Sequence, residues 1–137
     1  MSTQKTLRNR APLSWAARYG QEGVARLLLE CYEVAPDSGD SSGRTPLSYA
    51  AASGGDGIVK ILLQRRDVDP ESRSISGRTP LSWAALYGRE GVAKLLLERD
   101  GVDPESQDNS DHTVLSFAAG GGDERIVKLL LERGEVC

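Results

Sequence analysis

His112 is the only histidine in the chain, so a Ser-His-Asp relay would have to run through it. No G-x-S-x-G elbow presents a serine to it, and there is no paired-histidine motif to hold a catalytic metal. A glycine loop closed by Gly-Lys-Ser/Thr, which cradles phosphates, is missing as well. The loops Asp67-Val68-Asp69-Pro70-Glu71 and Asp103-Pro104-Glu105, with Asp108 and Asp111 beyond, hold the oxygen ligands that calcium takes. They lack the spacing and closing glutamate of an EF-hand loop, so solvated turns account for them. Cys31 and Cys137 stand at unrelated places in the chain's organisation, unlike a disulfide framework or a metal knuckle, and read as free thiols in a reducing compartment. The inventory therefore predicts no enzyme activity, no catalytic residue, no cofactor and no metal site.

Bulk properties narrow the remaining classes. With 39% apolar residues in 137, the chain can bury a core as one domain. A nucleic-acid binder driven by phosphate neutralisation needs a basic stripe, whereas the formal charge is −3 with both signs interspersed. No apolar run is long enough to span a bilayer, and the opening MSTQKTLRN lacks a signal peptide's apolar core. A cytoplasmic, intracellular protein without nucleic-acid, membrane or small-molecule partners is the expectation.

The elements that must position any functional side chain come from repetition. Leu13, Leu47, Leu81 and Leu115 recur at a strict period of 34 residues, so units of helix and turn should stack on one another. In the third unit Thr79-Pro80 starts a helix, with a hydroxyl for the orphan amides of the first turn and proline where no N–H is needed. That helix should run from about Pro80 to Tyr87. Gly88 stops it, and Glu90 opens a second helix to about Arg99 with Val92, Leu95, Leu96 and Leu97 as its apolar surface. The first unit has Ala11 where the cap threonine belongs, a loss of roughly 1 kcal/mol. The second reads Ala52-Ser53-Gly54-Gly55 at its corner, which should loosen it, and the fourth keeps Thr113 but loses the proline. Trp15/Trp83 and Tyr19/Tyr87 in odd units, against Ile-Val-Lys at 58–60 and 126–128 in even ones, indicate duplication of a two-unit block. Glu22 and Arg26, Asp56 and Lys60, Glu90 and Lys94, Glu124 and Lys128 stand at i,i+4, acid first, as helix-stabilising pairs.

The stretches Gly43-Arg44-Thr45-Pro46-Leu47-Ser48-Tyr49-Ala50-Ala51 and Gly77-Arg78-Thr79-Pro80-Leu81-Ser82-Trp83-Ala84-Ala85 resemble the ankyrin repeat signature. Two departures stand out: serine replaces the usual histidine in all four units (Ser14, Ser48, Ser82, Ser116), and the period is 34 where about 33 is usual. Both are similar to ankyrin arrays of large fungal, NLR-like proteins. The resemblance implies an all-α ankyrin-repeat solenoid of four stacked helix-turn-helix units with projecting loops. Units over about 9–42, 43–76, 77–110 and 111–137 make one domain, expected to be cut from a longer array.

The resemblance also implies contact positions at the finger tips, before the cap, and at the end of the first helix. They fall on Arg10, Arg44, Arg78 and His112, on Arg18-Tyr19, Ala52-Ser53, Leu86-Tyr87 and Gly120-Gly121, and on Ile75 at a loop tip. Arginine and tyrosine are the types enriched at interface hot spots. The aromatics Trp15, Tyr49, Trp83 and Phe117, two residues after each leucine, are read as packing between units rather than as a stacking platform. The expected function is non-enzymatic recognition of a partner protein, or of the parent chain, on the concave face through Arg10, Arg18, Tyr19, Arg44, Ser53, Ile75, Arg78, Leu86, Tyr87 and His112. The rival expectation is a structural spacer or a self-associating array, since the end units lack polar outer faces.

Overall fold

The computed structural model of the chain describes residues 12–30, 36–99 and 101–134. Arg10, Ala11, Cys31 and Cys137 lie outside them. Among the described residues eight helices form four pairs: α1 over 12–18 with α2 (Glu22–Glu30), α3 (Pro46–Ser53) with α4 (Asp56–Leu63), α5 (Pro80–Leu86) with α6 (Glu90–Leu97), and α7 (Val114–Gly121) with α8 (Glu124–Gly134). The first helices α3, α5 and α7 pack side by side in one layer, and α2, α4, α6 and α8 in a second. Leu47, Leu81, Ile58, Leu62, Val92 and Leu96 are fully buried between them, each contributing about 1.5–3 kcal/mol by leaving water. No helix among the described residues is long and apolar enough to cross a membrane.

The helix starts follow from the caps. Thr45, Thr79 and Thr113 accept the amides of Ser48, Ser82 and Ser116 at 3.2, 3.2 and 3.0 Å. The serine that replaces histidine joins this cap: Ser48 and Ser82 hydroxyls lie 3.2 and 3.1 Å from the threonine hydroxyls, and Ser116 donates to the Thr113 carbonyl at 2.7 Å. The Gly54 corner is closed by backbone hydrogen bonds, as its counterpart at Gly88 is. Gly54 takes φ +80, and the Gly54 and Gly55 amides donate to the Ala50 carbonyl at 3.0 and 2.9 Å.

The second helices are served by their neighbours instead. The expected i,i+4 ion pairs do not recur, for among the described residues only Glu22–Arg26 of the four closes, at 3.2 Å. The acids reach across units: the carboxyls of Glu22 and Asp56 occupy the space that a Cβ on Gly57 or Gly91 would need. Those glycines are the second residues of α4 and α6, so each carboxylate sits at the positive end of the next unit's helix. In the fourth unit Arg125 replaces the glycine and meets Glu90 at 3.3 Å. At the other end, the Arg65, Arg99 and Arg133 guanidiniums donate to the carbonyls of Leu29, Leu63 and Leu97. Each caps the preceding unit's second helix with a charge-assisted bond.

The loops before the first helices project as fingers and pair with each other. The Ile75 amide donates to the Ser42 carbonyl and the Asn109 amide to that of Ser76, both at 2.9 Å. Close approach there requires glycine at position 77, whose φ is +83 and where a Cβ would lie 2.8 Å from the Asn109 nitrogen. In the next unit Asp111 holds the same place at φ +66.

Candidate functional site

One residue precedes each cap threonine, and on three successive fingers it is Arg44, Arg78 and His112. Each arginine leans over the first-helix aromatics of its own unit and of the following one, and His112 over that of its own unit. The Arg44 guanidinium lies 4.2 Å from the Tyr49 ring centre and 4.1 Å from that of Trp83. Arg78 follows at 5.1 Å from Trp83 and 5.0 Å from Phe117, and His112 leans on Phe117 at 5.6 Å. Tyr49, Arg44, Trp83, Arg78, Phe117 and His112 therefore alternate ring and base along the face made by fingers and first helices. Cation–π attraction and planar stacking suit guanidinium to this position as lysine would not. The expectation of packing between units holds for Trp83, which is 8% exposed, and for the half-buried Tyr49 and Phe117. Trp15 differs, for it is 55% exposed.

Two carboxylates, the half-buried Asp40 and the buried Asp108, anchor two of the fingers. Asp40 accepts the amides of Ser42 and Arg44 at 2.9 and 3.0 Å, and also the Tyr49 hydroxyl. Burial alone would push its carboxyl up, but the Tyr49 hydroxyl, the two amides and the Arg44 charge outweigh that and hold it below the ordinary aspartate value. Asp108 repeats the arrangement with the Ser110 and His112 amides at 2.9 Å. Arg78 stands 3.7 Å and His112 Nδ1 3.2 Å from its Oδ2. Its burial is likewise outweighed, first by the His112 and Ser110 amides and then by the His112 ring, so its carboxyl also lies low. His112 is thus engaged with Asp108 and Phe117, and among the described residues no group of three or more His, Cys, Asp or Glu is arranged to hold a metal ion.

The remaining positions divide by exposure. Ile75, Tyr19 and Tyr87 are 69%, 57% and 52% exposed, and Arg18 is exposed with its guanidinium 5.6 and 5.7 Å from the Trp15 and Tyr19 rings. Leu86 is half-buried against the core. Ser53 turns its hydroxyl to the Ala17 and Ala50 carbonyls at 3.0 and 3.2 Å, binding its unit to the one before. In the odd units the aromatic pairs Trp15–Tyr19 and Trp83–Tyr87 stack at 5.4 and 6.3 Å with ring planes 14° and 8° apart.

Arg18, Ser53, Tyr87 and Ile75 line two clefts joined by Arg44, and Tyr19 and Leu86 line neither. One, of about 280 Å³, is lined by Arg18, Arg44, Tyr49, Ser53, Tyr87 and Arg89. The other, of about 380 Å³, is lined by Ser42, Arg44, Ser74, Ile75, Ser76 and Trp83. Sequence reasoning missed Arg89, because Gln21, Gly55 and Asp123 stand at its place in the other units and no period marks it. The anchoring role of Asp40 and Asp108 was signalled, since each lies four residues before a finger's last residue.

A search of curated proteins returns no significant match. A family model of ankyrin repeats, three copies long, matches residues 1–74 and again 55–137. The period, the threonine caps, the paired helices, the interlocked fingers and this match agree that the chain belongs to the ankyrin repeat family.

Proposed function

We propose that this array is a non-enzymatic recognition module of the cytoplasm that binds a segment of a partner protein, or of its own parent chain, along the concave strip of fingers and first helices. Ankyrin repeats are generally protein-interaction modules, and the strip supplies what an interface core uses: exposed tyrosine and isoleucine beside arginine. The observation that carries the reading is the exposure of Ile75 and Tyr87 in the two clefts that share Arg44 of the cation–π ladder. A preorganised surface loses little side-chain freedom on binding.

The test is a photo-crosslinking phenylalanine analogue placed at Ile75 and, as a control, at the exposed outer-helix position Lys94. Protein adducts are expected from Ile75 and not from Lys94; adducts from Lys94 alone would refute the concave site. Alanine at Arg18 and Tyr87 is the matching mutational test, since Arg44 and Arg78 also hold the units together. A second reading, end-to-end stacking, is favoured by Val24, which is 49% exposed where Ile58, Val92 and Ile126 are buried, and by Leu27, which is 68% exposed where Ile61, Leu95 and Leu129 are partly buried. Sedimentation of the wild type and Leu27→Glu across a concentration range tests it; a monomer at every concentration removes it.

A further inference from the structure

One part of the concave strip is basic although the chain as a whole is acidic. The chain carries −3 overall, yet the smaller cleft is lined by Arg18, Arg44 and Arg89 and by no acidic residue. Among the described residues none of these three has a carboxylate within ion-pair distance. Their places are fixed by contacts other than ion pairs. Arg18 lies against the Trp15 and Tyr19 rings, Arg44 is clamped between Tyr49 and Trp83, and Arg89 donates Nε–H to the Ala52 carbonyl at 2.8 Å. The Arg44 Nε and the Trp83 Nε1 are buried without a hydrogen-bond partner, so donors are in surplus on this face. Next to the arginines, the second cleft offers the apolar flank of Ile75 and Trp83.

We propose that the occupant of this strip is an extended, acidic segment of a partner protein. One anionic side chain sits among Arg18, Arg44 and Arg89, and an apolar side chain two residues away lies against Ile75 and Trp83. The inference rests on the concave-face reading above and specifies its chemistry. Guanidinium forks match the two oxygens of a carboxylate and equally those of a phosphate. Two residues of extended chain span about 7 Å, within reach of neighbouring rings that lie 4.2 and 4.1 Å from the Arg44 guanidinium they share. The acidic surface elsewhere does not forbid the approach, since the Debye length at physiological salt is about 8 Å and the contact is local.

The experiment uses fluorescein-labelled octapeptides of the pattern Gly-Glu-Gly-Leu repeated twice, with lysine or phosphoserine in place of glutamate, and anisotropy titrations with the full chain. Both anionic peptides are expected to bind at least tenfold more tightly than the lysine peptide at low salt, with affinity falling as salt rises. The tighter of the two identifies the anion as carboxylate or phosphate. Arg18→Glu, at an exposed position, is expected to weaken binding at least tenfold with an unchanged melting curve, and Arg89→Ala to weaken it severalfold. Equal binding of the lysine peptide, no binding of either anionic peptide at millimolar concentration, or an unaffected Arg18→Glu would each overturn the proposal. If those results came with Ile75 crosslinks intact, the concave site would stand and only its acidic ligand would fall.

Discussion

The cation–π ladder makes a quantitative demand on the pair Arg44 and Trp83. Their separation is 4.1 Å, Trp83 is 8% exposed, and Arg44 Nε is enclosed. Such contacts are worth about 0.5–1 kcal/mol when exposed and about 2 kcal/mol when desolvated, so a half-buried guanidinium should couple to the indole by about 1–1.5 kcal/mol. Single substitutions cannot show this, because Trp83→Leu also loses buried area and Arg44→Met also removes an unpaired buried donor. A double-mutant cycle cancels both terms. The four proteins are the wild type, Arg44→Met, Trp83→Leu and the double variant, each unfolded in urea and followed by far-ultraviolet circular dichroism. The double variant should be less destabilised than the sum of the singles by about 1–1.5 kcal/mol. A coupling inside the roughly 0.3–0.5 kcal/mol scatter of independent sites would show that the guanidinium is only a spacer between rings, and the ladder would lose its energetic meaning.

Further outcomes follow from the inter-unit contacts. Gly77→Ala should destabilise by about 2–4 kcal/mol, combining left-handed strain with loss of finger hydrogen bonds. Gly101→Ala, at φ +90 with nothing within 4 Å, should cost only the strain, about 1 kcal/mol; equal urea midpoints for the two would sink the finger-clash argument. Arg99→Met should lower stability by about 1–2 kcal/mol through loss of the cap on the Leu63 carbonyl, while Arg66→Met at an exposed position changes it by under about 0.5 kcal/mol. Glu71 is raised above its ordinary value of 4.5, chiefly by burial. A folded state that holds the proton more tightly loses stability as pH climbs past the ordinary glutamate range. Glu71→Gln should therefore gain on wild type between pH 4 and pH 7 in urea midpoints, and a difference constant with pH would contradict the raised value.

The local code was legible where one residue type performs one local task. Threonine and serine three residues apart form the caps of α3, α5 and α7, proline opens α3 and α5, and Gly88 adopts the left-handed turn expected of it. The i,i+4 acid–base spacing misled, because a single sequence cannot tell a carboxylate serving its own helix from one serving the next unit. Both readings place the acid at the start of the second helix. Gly57 and Gly91 carried the distinguishing signal, since glycine inside a helix costs up to about 1 kcal/mol relative to alanine unless something occupies the space its side chain would fill.

By itself the chain determined its period, its capped helix pairs and its apolar faces, all set by contacts within about a dozen residues or by simple periodicity. Only the stack decided the rest. It put Arg44 between rings from two units, laid Arg65, Arg99 and Arg133 on carbonyls 36 residues back, and brought Arg89 to the same cleft as Arg18 and Arg44. Those juxtapositions depend on how far and at what angle one unit is displaced from the next. That displacement comes from side-chain packing summed over the whole interface, which no stretch of one unit encodes.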